Sequence, residues 1–217
     1  IADYTLYAKW FDEYEIDNNT HFGVNTSTFC SVLGYYIENG KLTLEFSDES
    51  DKLCISYDTD DEKAIVTHKT YNVPLIDIES DLLSMPDLEY EADLGMSLSL
   101  FNSIISEISS FSSGINFNID EESIKFKTRD HCFTNEDKID CETEIDIDIE
   151  NVDEFSIDED CKINVSFTTS YISYISNFVK IFKNVKIGMS NDMPLQLLFE
   201  EDDNYTIKLY VAPAIDE

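Results

Sequence analysis

The sequence predicts an α+β fold in which a few one-sided helices pack on antiparallel sheets. Three observations carry this. Most of the chain alternates apolar and polar residues with period two, the pattern of half-buried strands. Three stretches instead space their apolar residues as one face of a helix, and each is fed by a strand and followed by one. The chain is 42% hydrophobic, with 14 Phe and 12 Tyr among 217 residues, which supplies a core despite a formal charge of −32.

The elements follow in order. Residues 26–36 place Phe29, Val32, Leu33 and Tyr36 on one helical face, and the alternating runs 41–46 and 53–57 read as strands. Residues 70–87 carry Pro74 and Pro86, fit neither period, and read as an extended connector. Residues 97–111 form a second helix through Phe101, Ile104, Ile105 and Ile108. Residues 168–182 form a third through Tyr171, Ile172, Ile175, Phe178 and Val179. Strands are predicted over 115–119, 143–149 and 206–211. The organisation is then a first domain over 1–70, a connector over 71–87 and a second domain over 88–217. The order of strands, helix, strands occurs in both halves, so a weak internal repeat is expected. With only six Gly and four Pro, turns must rely on Asn, Asp and Ser.

Forty-six acidic residues face 14 basic ones, a surface that repels free nucleic acid and anionic membranes. The five Cys, at 30, 54, 132, 141 and 161, include no Cys-x-x-Cys pair and suit a reducing intracellular compartment better than a disulfide framework. No long apolar run marks a membrane span. The catalytic signatures are missing: His21, His68 and His131 are not spaced as metal ligands on a helix, and no nucleophile elbow or phosphate loop occurs. The acids of residues 58–62 suggest a calcium loop, but Lys63 and Lys69 stand where that loop needs Gly and Glu, so a solvated hairpin tip explains them better. His131, Cys132 and Cys141 match no common zinc spacing. The acids of 142–160 alternate along a strand and read as its solvent side. These residues predict a binding scaffold with no cofactor, no metal and no enzymatic activity.

Two distant segments carry a resemblance. Leu75, Ile76, Asp77, Ile78 and Glu79, then Leu83, Ser84, Met85 and Pro86, resemble the interdomain connector of the proliferating cell nuclear antigen family. Glu89, Tyr90, Met96 and Phe101 follow in step. Residues 189–195 and 209–217, with Ala212 and Pro213, look like that family's last strands and tail. Phe11 to Tyr14, Gly23 to Asn25 and Leu42 to Leu44 also fall in order. The resemblance covers nearly the whole chain, and by its alignment the family chain begins a few dozen residues earlier.

The resemblance implies a DNA-clamp fold with two similar sheet-plus-helix domains per subunit, helices lining a ring and sheets outside. It implies a homotrimeric ring, closed head to tail by strand pairing, that encircles duplex DNA without reading sequence. In this ring the strand around 64–69 would pair with one within 134–149 of the next subunit. Expected partners are DNA polymerase, other proteins bearing a short peptide motif, and a clamp loader, in the nucleus or at a viral replication site. The peptide would enter a pocket formed by Ile78, Leu83, Met85, Pro194, Tyr210, Ala212 and Pro213, with Asp77, Glu79, Asp81, Asp216 and Glu217 favouring basic flanks.

One departure stands out. The family lines its hole with Lys and Arg, whereas here the polar helix faces offer Thr28, Ser31 and Gly34, then Asn102, Ser103, Ser106 and Glu107, then Ser170, Ser173, Ser176 and Asn177. Lys180, Lys183 and Lys186 are the candidate DNA-facing cations. Two readings remain open: a working clamp with a loose grip, or a divergent clamp-like ring or acidic scaffold that recruits proteins with little DNA binding. Without the resemblance, an acidic interaction domain or nucleic-acid mimic would fit the composition.

Overall fold

The computed structural model describes residues 1–17, 20–36, 40–47, 50–59, 65–77, 88–129, 142–201 and 204–214. They fall into two compact units, one of residues 15–86 and one joining residues 1–14 to 87–217.

In the smaller unit, β2 (Gly23–Val24) leads into α1 (Thr26–Leu33), followed by β3 (Lys41–Glu45), β4 (Lys52–Asp58) and β5 (His68–Ile76). The sheet order is β2-β5-β4-β3. Asn25 caps α1 by accepting the Thr28 N–H at 3.0 Å. Alternation along β4 buries Leu53, Ile55 and Tyr57 against Val32 of α1 and Val73 of β5. The Tyr57 hydroxyl donates to the Val32 carbonyl at 3.0 Å and so ties helix to sheet. Two expectations are corrected here. Residues 71–76, assigned to the connector, form most of β5, and Pro74 lies within that strand opposite Lys52. Tyr36 is exposed and lies beyond the end of α1, because Gly34 closes the helix.

The larger unit holds two sheets. β1 (Ala2–Leu6), β6 (Ala92–Ser97), β10 (Glu154–Ile157), β12 (Asn184–Met189), β13 (Leu195–Glu201) and β14 (Tyr205–Val211) form one, in the order β1-β14-β13-β12-β6-β10. β7 (Gly114–Asp120), β8 (Ser123–Thr128), β9 (Glu144–Ile147) and β11 (Ile163–Thr168) form the other, in the order β11-β7-β8-β9. The helix α2 (Leu98–Phe111) packs on strands of both sheets, and its buried Phe101, Ile104, Ile105 and Ile108 keep the predicted spacing. Phe117, Phe126 and Phe167 gather beneath it, with the Phe117 and Phe126 ring centres 4.9 Å apart.

The third predicted helix is shorter than its periodicity suggests. α3 covers only Thr169–Ile172 and continues as a 3-10 helix over Ser173–Asn177. The Ser173 N–H and Oγ both donate to the Thr169 carbonyl, the Oγ at 2.7 Å, where α3 ends. The tighter winding puts Ile172 and Ile175 in the core and turns Tyr171 and Tyr174 outward, 62% and 63% exposed. Tyr171 is therefore not the core residue that its spacing predicts.

The repeat is visible in the element order. β1 is followed by a 3-10 turn (Ala8–Trp10), and β9 is followed by another (Ile149–Asn151). That second turn replaces the end of the strand expected over 143–149: Asp148 caps it by accepting the Glu150 N–H at 3.1 Å. After the first turn come one strand and a helix, after the second two strands and a helix, and each helix is followed by three strands that pair as neighbours, β3-β4-β5 in one half and β12-β13-β14 in the other.

Candidate partner and nucleic-acid surfaces

The two faces of the six-stranded sheet differ in chemistry. Leu195, Leu197 and Phe199 of β13 and Ile207 and Val211 of β14 enter the core beneath the helices. The alternate residues point the other way. Gly188, Gln196 and Tyr210 are register partners across β12, β13 and β14, with Asp93 of β6 opposite Gly188. Gln196 Nε2 donates to the Tyr210 hydroxyl at 3.2 Å. The Tyr90 ring lies over Gly188, where no side chain competes for the space. Burial pushes the Tyr90 hydroxyl up to about 12, and Tyr210 and Asp93 add to the shift. Partial desolvation and the carboxylate of Glu154 push Asp93 up, against the opposing pull of Lys186.

This row sets four of the seven predicted pocket residues near one end of the β13–β14 ladder. Leu195 pairs with Val211, so Pro194 and Ala212 flank the last rung. Ala212 is exposed, and Pro194 and Pro213 are half-buried. The Ala214 N–H donates to the Ser166 carbonyl at 2.7 Å, which fixes the strand's exit beside Pro213. Tyr210 is only 8% exposed, so it forms the floor of this region and not a free side chain. Ile78, Leu83 and Met85 lie outside the described residues, as do the acids Glu79, Asp81, Asp216 and Glu217.

A groove of about 550 Å³ shares Tyr210 and Ala212 with that region, and its other walls include Tyr4, Tyr171, Tyr174, Phe178 and Leu209. Sequence reasoning missed it, because Tyr171 was assigned to the core and β1 was not expected beside β14. The alternation of Ala2 to Leu6 was the available signal for a strand there, though not for its partner.

The three lysines separate. Lys180 and Lys183 are exposed just beyond the 3-10 helix. The Lys183 carbonyl accepts the Leu98 N–H at 2.8 Å, which places it at the start of α2. Lys186 lies on β12 between the buried Val185 and Ile187 and so points to the opposite face, where it pairs with Glu200 at 3.2 Å. Lys186 thus points away from the core side of the sheet, because a strand reverses its side chains at each residue. Among the described residues, no group of three or more metal-ligating side chains occurs, and no helix is long and apolar enough to cross a membrane.

Strand-helix-strand repeats with helices packed on antiparallel sheets define the α+β clamp fold. The family model described as the proliferating cell nuclear antigen N-terminal domain matches residues 1–82, and the one described as its C-terminal domain matches residues 84–214. The chain belongs to the proliferating cell nuclear antigen family. This is a family of non-enzymatic sliding clamps of DNA replication, found inside the cell at the nucleus or replication site. Its partners are DNA and replication proteins, and its assembly is a trimeric ring.

Proposed function

We propose that this chain forms a homotrimeric ring that encircles duplex DNA and tethers DNA polymerase and other replication and repair proteins, after placement by a clamp loader. Its two domains are joined by a connector that begins after β5 and not at residue 71. The observation that carries this reading is the pairing of β1 with β14, Ala2 opposite Leu209 through Leu6 opposite Tyr205. β9 has the position in its half that β1 has in the other, yet among the described residues its outer edge is unpaired. By the repeat, that edge would receive β5 of a second copy, because β5 ends the first half as β14 ends the second. This head-to-tail contact closes into a ring when its rotation divides a full turn. The strand first expected around 64–69 is shifted accordingly: Ile65 to Thr67 are not in a strand, and Ala64 lies outside the described residues.

Light scattering on the full chain should give the mass of a trimer. Successive N–H groups along a strand point to opposite sides, so Pro placed at Ile145 and at Asp146 in turn removes one inward and one outward donor. The outward variant should remain folded and become monomeric. If the wild-type chain is monomeric at micromolar concentration, the ring is wrong.

The partner peptide would carry Gln, an aliphatic residue and two aromatics, and would plug the region of Pro194, Ala212 and Pro213 beneath Ile78, Leu83 and Met85 of the connector. Leu83→Ala combined with Ala212→Arg should weaken such a peptide by an amount on the order of 2 kcal/mol or more. Equal calorimetric affinity for wild type and variant would reject this pocket while leaving the ring intact.

One observation favours a second reading, a ring that recruits proteins with little DNA binding: α1, α2 and α3 carry no Lys or Arg.

A further inference from the structure

The helical surface is as unusual for the acids it lacks as for the bases. The chain is 28% charged and holds 46 acidic residues, yet α1, α2, α3 and the 3-10 helix after α3 carry a single charged side chain, Glu107. Among the described residues the other acids lie in strands, loops and the short 3-10 turn of Ile149–Asn151. Beside the apolar Leu100 and Phe111, the exposed helix positions are mostly hydroxyls and amides, notably Ser103 and Ser106 of α2 and Ser170, Tyr174, Ser176 and Asn177 of the third helical segment. Solubility alone does not explain this pattern, because acids on the exposed face of α2 would serve it equally well. A polyanion brought against the helices does: each acid there would repel it at short range, whereas neutral donors bond phosphate oxygens without fixing counterions.

Resting on the clamp reading above, we propose that this chain meets duplex DNA through neutral hydroxyl and amide donors on α2 and the third helical segment, and not through a lysine or arginine lining. The surrounding acids then keep the duplex off every other surface, and among the described residues Lys180 and Lys183 supply the cationic contact. Neutral contacts displace few condensed ions, so the grip is weak, insensitive to salt and free of deep electrostatic wells along the duplex. A ring that holds by topology needs nothing stronger.

The test uses the full chain, a fluorescent blunt-ended duplex and a salt series read by anisotropy. Wild type should bind weakly with a shallow slope of log affinity against log salt. Lys180→Ser with Lys183→Ser should flatten that slope further while association persists. Ser106→Lys with Ser170→Lys should tighten binding and steepen the slope by about 0.9 for each phosphate newly neutralised. Ser156→Lys, on an exposed site of β10 and facing away from the core as its buried-side neighbours Phe155 and Ile157 do not, should leave the slope unchanged. Loss of all association on removing Lys180 and Lys183 would overturn the proposal in favour of a cationic grip. A slope unaltered by the two helix lysines, or altered equally by Ser156→Lys, would overturn it by showing that the duplex does not approach the helices. Neither result bears on whether the chain forms a trimer, so the clamp reading stands or falls separately.

Discussion

The Tyr90 ring occupies the space in which a side chain at residue 188 would begin: a Cβ built on Gly188 would come within 2.6 Å of Tyr90 Cδ2 and within 2.9 Å of Cγ. These are atoms of the ring's near edge and its root, so the tyrosine can yield only by moving as a whole. Gly188→Ala should therefore destabilise the larger unit by about 1–3 kcal/mol through overpacking. The midpoint of urea denaturation checks this, and a midpoint equal to wild type would show that Tyr90 swings aside freely.

The hydrogen bond from Tyr57 to Val32 crosses from sheet to helix in the smaller unit. Tyr57→Phe removes it with little change of shape. The Val32 carbonyl still accepts the Tyr35 N–H at 3.0 Å, so the cost should be near a typical net hydrogen bond, about 1 kcal/mol. Differential scanning calorimetry should register a small fall in Tm. A loss several times larger would mean that the hydroxyl also serves another group.

Core packing in the larger unit depends on α2. Ile105 is 1% exposed, and Ile105→Ala should cost about 2–5 kcal/mol by opening a cavity between the helix and the sheets. Glu107→Ala, on the outer face of the same helix, should change stability by no more than about 0.5 kcal/mol. Similar losses in both variants would mean that α2 is not oriented as described.

β9 is held to β8 by charge as well as by backbone pairing. Glu144 accepts from Lys127 at 2.7 Å and from Lys125 at 2.9 Å, and these bonds pull its carboxyl from an ordinary 4.5 down to about 2. A depressed acid stabilises the fold above its unfolded pKa, and that contribution is lost as pH falls from about 4.5 through about 2. Glu144→Gln should therefore be less stable than wild type at neutral pH, with the difference vanishing near pH 2. The pair is exposed, so salt should shrink the difference as well. A gap between the two proteins that persists at the acid end would exclude the ion pairs as its cause.

How far the sequence alone determines this protein depends on the range of the interaction. Period-two alternation over Lys52–Asp58 and Gly114–Asp120, and the Phe101, Ile104, Ile105, Ile108 spacing of α2, are local patterns that tertiary packing reinforces, and they placed those elements. The clamp fold and its family were legible too, because the connector and the Ala212–Pro213 tail combine with that element order. The remainder was decided by contacts between distant segments. Whether Tyr171 faced the core depended on the change to 3-10 winding over Ser173–Asn177, which a regular helical period does not represent. The face on which Lys186 lies depended on its standing in a strand, β12, whose Val185 and Ile187 enter the core. The partnership of β1 with β14, which joins the chain's first strand to its last, has no signature in either strand, because a ladder's hydrogen bonds come from backbone groups that every sequence carries.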